Sequence, residues 1–171
     1  MTISTRVTYL GISPRFLQTL VTLDLEPQKI TDLSHLENVT STGMVLSDAL
    51  FRWFYSEKGF PKRAHLGNIS GGTDIAGCFA IDNPITPVYV GGCQGWSLGV
   101  KVEIYDSTVE GGPDEKGNVT KGKPVQAANE PGELVATVPF PNQPVMFWPP
   151  EEAGRKKYRS AYFERFGPVK T

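Results

Sequence analysis

The first half of the chain alternates strand-like and helix-like segments, and no other feature of the sequence restricts the fold as strongly. Each helix-like segment follows a serine, whose side chain caps helix starts, and the first also has Pro14 in its opening turn. The strand-like segments are Val7–Ser13, the run that ends at Gly43, and Arg63–Ser70; the helix-like segments follow Ser13 and Ser47, and the second ends at Gly59. Short strands separated by helices form parallel sheets. The sequence therefore predicts an α/β fold with a partial parallel βαβ sheet.

The character of the sequence changes near Pro84, and the second half has the pattern of a small antiparallel β-lobe. Apolar and polar residues alternate from Val100 to Tyr105, and Gly132–Pro139 forms a second strand-like run. Residues 107–131 between them are rich in Gly, Pro, Lys, Glu and Asn, a composition that supports little fixed structure. A short helix is predicted at Tyr158–Phe166. We expect two lobes, 1–84 and 85–171.

Composition and charge exclude several classes of function. Seventeen Lys and Arg residues against 18 Asp and Glu residues give a net charge of −1, which offers no field to attract nucleic acid or an anionic membrane surface. No run of apolar residues is long enough to span a bilayer, and the first residues lack a secretory signal pattern. We expect a cytoplasmic protein without nucleic-acid or membrane partners. Two cysteines and two histidines, without metal-ligand spacing, argue against a Cys/His metal site.

Two polar segments follow predicted strands and are the candidate binding loops. Ser41-Thr42-Gly43 ends the second strand, and Ser70-Gly71-Gly72-Thr73-Asp74 follows the third. Parallel sheets bind ligands at the carboxyl ends of their strands. Glycines let a ligand approach the backbone, a threonine hydroxyl can bond phosphate oxygens, and a carboxylate can hold Mg²⁺. The alternative is that the glycine-rich segment is an ordinary turn, because short motifs of this kind are common.

Longer motifs around the second segment carry a family resemblance. The block "ISGGTDIAGCF" is preceded by "NVTSTGMVLSDALFRWFY" and followed by "PVYVGGCQGWSLGVKVEIYD", "GELVATVPFPNQPVMFW" and "KYRSAYFERF". In that order and at those spacings the motifs resemble acyl-adenylate-forming enzymes, most closely the acetoacetyl-CoA synthetases. The resemblance covers nearly the whole chain. It implies that the two lobes are part of the large amino-terminal domain of such an enzyme.

The resemblance also implies a role for each candidate residue. Thr73 would contact the α-phosphate and acyl carboxylate of a bound adenylate, and Asp74 would help to hold Mg²⁺. Ser41, Thr42 and Gly43 would lie against the adenine, and Ser70 belongs to the same nucleotide-binding segment as Thr73. Gly71 and Gly72 stand where relatives specific for acetate carry bulkier groups. A roomier acyl pocket, suited to a short β-keto acid, is therefore implied.

The implied activity is that of an acetoacetate:CoA ligase of lipid metabolism, which uses ATP and Mg²⁺ to adenylate acetoacetate and then forms the CoA thioester. The family's ATP phosphate loop, ribose-binding Asp and carboxy-terminal catalytic Lys fall outside the matched region, so we expect a truncated chain that is inactive alone. One alternative is a non-catalytic module that binds AMP or an acyl-adenylate. The other is a protein-interaction module that self-associates or pairs with a complementing chain.

Overall fold

The computed structural model describes residues 6–109, 122–125, 127 and 129–166. The chain divides into two compact units, Met1–Ser97 and Leu98–Thr171. The predicted lobes 1–84 and 85–171 stay a prediction about domain organisation. The elements, in chain order, are β1 (Tyr9–Ile12), α1 (Pro14–Thr22), α2 (Pro27–Ile30), β2 (Asn38–Ser41), α3 (Asp48–Phe54), β3 (His65–Asn68), β4 (Ser70–Gly72), a 3-10 turn (Thr73–Ile75), β5 (Gly77–Ile81), β6 (Gly95–Trp96), β7 (Val102–Tyr105), β8 (Glu133–Ala136) and α4 (Glu152–Tyr162).

A three-stranded parallel sheet in the order β1-β2-β3 is the centre of the first unit. Val39 of β2 and Leu66 of β3 lie in register on its apolar face, and both side chains are fully buried. They belong to one core cluster with Leu17 of α1 and with Phe51 and Phe54 of α3. Burying apolar surface on one face of a sheet fixes the strand register, because a one-residue slip would expose that face. The predicted α/β class is confirmed.

Both predicted helix starts are confirmed by their caps. The Ser13 hydroxyl accepts a hydrogen bond from the Phe16 amide at 3.3 Å, and the Ser47 hydroxyl accepts one from the Leu50 amide at 3.4 Å. The end predicted for the second helix is wrong, since α3 ends at Phe54 instead of near Gly59. The chain folds back at that point: a Cβ on Gly59 would lie 2.3 Å from the Phe54 carbonyl oxygen. Gly59 is therefore required by this close approach.

The prediction that Ser70–Gly72 is a loop is also wrong. These residues form β4, which pairs antiparallel with β5 in a second sheet of order β4-β5-β6. The register shifts between Ser70 and Gly71, so the hairpin contains a bulge. The physical reason is tertiary: β4 pairs with the backbone of β5, and at Gly71 the two strands are so close that a Cβ would lie 2.1 Å from the Gly77 carbonyl oxygen.

The second unit contains an antiparallel pair, β7 with β8, in which Val102 lies opposite Ala136. Residues 123–125 continue this pairing: the Val125 amide donates to the Ile104 carbonyl at 2.8 Å. That part of the predicted 107–131 loop is therefore ordered, while residues 110–121, 126 and 128 lie outside the described residues. α4 begins at Glu152, earlier than predicted. Within the described ranges, no helix is both long enough and apolar enough to span a membrane.

Candidate functional site

The two candidate segments start from one edge of the parallel sheet. Ile12, Ser41 and Asn68 lie in register at the carboxyl ends of their strands. The hydrogen bonding continues one residue beyond them, since the Ile69 amide donates to the Ser41 carbonyl at 3.0 Å and the Thr42 amide donates to the Ile12 carbonyl at 3.3 Å. Ser70 follows Ile69 directly. The sheet therefore brings the beginnings of both segments together at the edge where parallel sheets bind ligands.

The first segment, residues 41–43, has one buried and two exposed members. The Ser41 side chain is fully buried, and its hydroxyl oxygen has no hydrogen-bond partner within the described part of the chain. Thr42 and Gly43 are exposed, and Gly43 has φ of 92°, a left-handed conformation that favours glycine. Thr42 and the Gly43 backbone are thus the accessible groups of this segment.

In the second segment the two glycines differ in their surroundings. A Cβ on Gly71 would lie 2.1 Å from the Gly77 carbonyl oxygen and 2.6 Å from the Cys78 Cα, so the β4-β5 hairpin has no space for a side chain there. A Cβ on Gly72 would have nothing within 4 Å. The resemblance assigned both glycines to the acyl pocket. The structure gives Gly71 a packing role, and only Gly72 faces open space.

Thr73 and Asp74 lie in a short 3-10 turn, Thr73–Ile75, directly after β4. The turn is closed by the Ala76 amide, which donates to the Thr73 carbonyl at 3.0 Å. Ile75 is buried and holds the turn against the protein, whereas Thr73 and Asp74 are exposed. An anchored turn with a hydroxyl and a carboxylate on its outer side presents hard oxygen atoms to a ligand.

These oxygen atoms fit Mg²⁺ that arrives with a nucleotide. Mg²⁺ binds through one or two carboxylates together with phosphate oxygens and water. Asp74 can supply the carboxylate and Thr73 a neighbouring hydroxyl. No group of three or more His, Cys, Asp or Glu residues able to hold a metal occurs in the described ranges. The donor set thus suits a metal that the nucleotide's own phosphates help to bind.

A polar contact that the sequence reading missed joins the hairpin to the parallel sheet. Asp82, directly after β5, accepts a hydrogen bond from the Asn38 side-chain amide of β2 at 3.1 Å. Gly67 of β3 makes room for it, because a Cβ there would lie 2.5 Å from the Asp82 Cβ. The sequence of β2 does show that this strand has a polar face, because Asn38 and Thr40 alternate with apolar Val39. It does not show that the partner of Asn38 is Asp82, 44 residues away.

A second set of contacts fixes the segment before β6. The Asn68 side chain donates to the Gly92 carbonyl at 3.2 Å, and the Gln94 side chain donates to the Leu66 carbonyl at 3.4 Å. Both bonds involve residues of β3, which ends just before the start of β4. Two side-chain amides, one from β3 and one from the segment before β6, therefore join these two parts of the chain beside the candidate site.

Cys78, opposite Gly71 in the hairpin, is half-buried. Burial, and to a smaller extent the negative charge of Asp82, raise the pKa of its thiol. The raised pKa reduces the thiolate fraction at neutral pH, and thiolate is the reactive form. Cys78 is therefore a poor candidate for a nucleophile.

Sequence and structure comparisons agree on one family of enzymes. No family model matches the chain. Acetoacetyl-coenzyme A synthetase of Rhizobium meliloti (strain 1021) is 38% identical over 164 residues, which are 96% of this chain and 22% of that protein. The solved acetoacetyl-CoA synthetase from Streptomyces lividans is 28% identical, with a TM-score of 0.71 over 97% of this chain and 23% of that one. An anthranilate CoA ligase solved with anthranoyl-AMP shares the fold, at 18% identity and a TM-score of 0.59.

The chain spans about 22% of the length of the curated relatives that it matches. The match nevertheless extends over nearly all of this chain, as the motifs predicted. The same fold recurs in adenylate-forming CoA ligases, so the parallel sheet and its hairpin correspond to part of the large domain of such enzymes. Over almost its entire length, the chain is thus a relative of one segment of the acetoacetyl-CoA synthetases.

Proposed function

We propose that this chain contributes the acyl-adenylate-holding segment of an acetoacetate:CoA ligase. The observation that carries the proposal is the anchored turn of Thr73 and Asp74, exposed beside the carboxyl edge of the parallel sheet. The substrates of the complete activity would be ATP with Mg²⁺, acetoacetate or another short β-keto acid, and CoA. The cytoplasm stays the predicted location.

Each candidate residue has a role in this proposal that its environment permits. The Thr73 hydroxyl donates to the α-phosphate or the acyl carboxylate, and Asp74 binds Mg²⁺. Thr42 and the Gly43 backbone, both exposed, lie against the adenine, and Ser41 supports them from inside the sheet. Ser70 and Gly72 border the acyl group, while Gly71 keeps the hairpin closed.

In this proposal the isolated chain binds the nucleotide but does not catalyse the reaction. Adenylation spreads negative charge over the phosphate oxygens in the transition state, and cationic groups aimed at that charge supply much of the rate. Thr73 and Asp74 carry no positive charge themselves, so Mg²⁺ would be the one cation that they bring to the phosphate, and enzymatic acceleration requires about 8 kcal/mol or more from all groups together. We therefore expect the chain by itself to bind AMP with Mg²⁺ and not to form acyl-CoA.

Calorimetric titration of the purified chain with AMP, with and without MgCl₂, tests the proposal. The test variants are Thr73→Val and Asp74→Asn. The matched controls are Thr8→Val and Glu37→Gln, because both residues lie just before β1 or β2, at the amino edge of the same sheet.

We expect saturable binding that requires Mg²⁺. Losing a hydrogen bond to a charged group should weaken this binding about tenfold or more in Thr73→Val, and Asp74→Asn should lose the Mg²⁺-dependent binding. The controls should bind like the parent chain. Flat heats from folded protein, or equal losses in test and control variants, would refute the proposed site.

A second candidate, an interaction module, is favoured by the sheet edge. Within the described residues β1 has β2 as its single strand neighbour, so its other edge presents unpaired backbone groups. Tyr9 of β1 is also 56% exposed. Open edges of this kind pair with other strands. Light scattering of the purified chain across a concentration series would show self-association, and a monomer at every concentration would exclude it.

A further inference from the structure

A groove of about 770 Å³ lies along α4 in the second unit, and the proposed function gives it no role. Ligand pockets of proteins have volumes of about 300–1,000 Å³, so the groove has the size of a small-molecule site. It is lined by Val145, Met146, Arg155, Tyr158, Arg159, Phe163 and Glu164.

The floor of the groove is apolar and fixed in place. Tyr158 is buried, and its hydroxyl accepts a hydrogen bond from the Gln143 side chain at 3.0 Å. Its ring meets the Phe147 ring edge-on at 5.3 Å and the Phe163 ring at 5.4 Å. Gly154 allows α4 to approach this segment, because a Cβ there would lie 2.0 Å from the Phe147 carbonyl oxygen. An apolar ligand would therefore meet a preformed surface.

Two arginines stand one helical turn apart beside this floor. Neither Arg155 nor Arg159 has an ion-pair partner among the residues that the structure describes, whereas Arg165 pairs with Glu133. Like charges at this spacing repel each other. Glu164 also lines the groove, which leaves a net charge of +1 from these three residues. An anion between the two guanidinium groups would remove their repulsion and receive planar, charge-assisted hydrogen bonds.

We propose that the α4 groove binds an amphiphilic anion, with a carboxylate or phosphate group between Arg155 and Arg159 and an alkyl chain along Met146, Tyr158 and Phe163. The apolar floor distinguishes this ligand from inorganic phosphate, and the arginine pair distinguishes it from a neutral lipid. The site belongs to the second unit, whereas all the candidate nucleotide-binding residues belong to the first. The two proposals can therefore fail separately.

Titration calorimetry with four probes, each below its micelle concentration, tests this site. Dodecyl phosphate and dodecanoate supply the anion from two sources, inorganic phosphate lacks the chain, and dodecyl maltoside lacks the charge. We expect both anionic amphiphiles to bind in a saturable manner and more weakly at high salt, because exposed charges are screened. Each methylene removed from the chain should weaken binding about fourfold.

The test variants are the double change Arg155→Gln and Arg159→Gln, and separately Val145→Asp, which places a negative charge at the exposed rim. Each should weaken dodecyl phosphate binding about tenfold or more. Lys156→Gln is the control, since Lys156 lies on the same helix and is exposed but does not line the groove.

The proposal is overturned by any of three results: no saturable binding to the folded chain, equal binding of the neutral amphiphile, or equal binding by the double arginine variant. Equal affinity for inorganic phosphate would also overturn it, by showing an anion site without an alkyl site. Retained AMP binding by the double variant would show that the loss belongs to the groove.

Discussion

Changing Gly71 or Gly72 to alanine adds a single methyl group, and the two changes test hairpin packing and ligand contact separately. We predict that Gly71→Ala destabilises the first unit and that Gly72→Ala does not. The basis is the difference in contact: a Cβ at Gly71 would lie 2.1 Å from the Gly77 carbonyl oxygen, whereas a Cβ at Gly72 would meet nothing within 4 Å. Gly72 has φ of −161°, an extended conformation that alanine adopts without strain.

The magnitude follows from the contacts. Real Cβ atoms do not approach a carbonyl oxygen to 2.1 Å, so β4 must move away from β5 in Gly71→Ala. Overpacking of this kind costs about 1–3 kcal/mol, and each hairpin hydrogen bond lost adds about 1 kcal/mol. Replacing glycine with alanine lowers the entropy of the unfolded chain, and this offsets the loss of stability by about 0.4–1 kcal/mol. The net loss is about 2 kcal/mol for Gly71→Ala, and Gly72→Ala gains about 0.5 kcal/mol.

Urea unfolding followed by far-UV circular dichroism measures the two free energies. AMP titration of both variants, each confirmed to be folded, then reports on the site. We expect Gly71→Ala to weaken AMP binding, since the turn that carries Thr73 and Asp74 follows the displaced strand. Gly72→Ala should keep AMP binding and reduce binding of an acyl-adenylate analogue. Equal stabilities for the two variants would refute the assignment of Gly71 to hairpin packing.

Two further predictions concern contacts behind the site. Gly67→Ala would place a Cβ 2.5 Å from the Asp82 Cβ and should lower the free energy of unfolding in urea by about 2 kcal/mol. Gly95→Ala is the control, because a Cβ there would have nothing within 4 Å, and it should be neutral or slightly stabilising. Equal losses in the two variants would contradict the packing of Asp82 on β3. Burial raises the pKa of Tyr55, whose hydroxyl accepts a hydrogen bond from the Leu66 amide. Its contribution to stability is therefore complete below pH 10 and decreases as the pH rises above that value, and Tyr55→Phe should flatten the stability profile above about pH 10. An unchanged slope in the variant would contradict this assignment.

Local signals in the sequence were sufficient for the parallel sheet and its helix starts. Ser13 and Ser47 cap α1 and α3 through atoms three residues away, so the whole interaction is contained in a short stretch of sequence. The strand β2 likewise shows its two faces in the alternation of Asn38, Val39 and Thr40. These features were predictable because propensity, capping and periodicity all agree there.

The hairpin and its support were not predictable, because they depend on distant partners. Gly71 and Gly72 have no side chains that could show a strand period, and their pairing depends on the backbone of β5. The Asn38–Asp82 hydrogen bond joins residues 44 positions apart. The early end of α3 depends on how closely Gly59 returns to Phe54. In each case tertiary contact decided a conformation that the local sequence left undetermined.

The candidate site lies within one compact unit, and this determines whether the chain can bind a ligand by itself. The site's eight residues belong to this unit, and the turn of Thr73 and Asp74 is anchored within that unit by buried Ile75. The Asn68–Gly92 hydrogen bond supports the carboxyl edge below it, and the Asn38–Asp82 hydrogen bond ties the end of the hairpin to the amino end of β2. Preorganised groups bind without the entropy cost of ordering a loop. If AMP binding is lost in Asp82→Ala while the chain stays folded, the affinity depends on this support as well as on the atoms that touch the ligand.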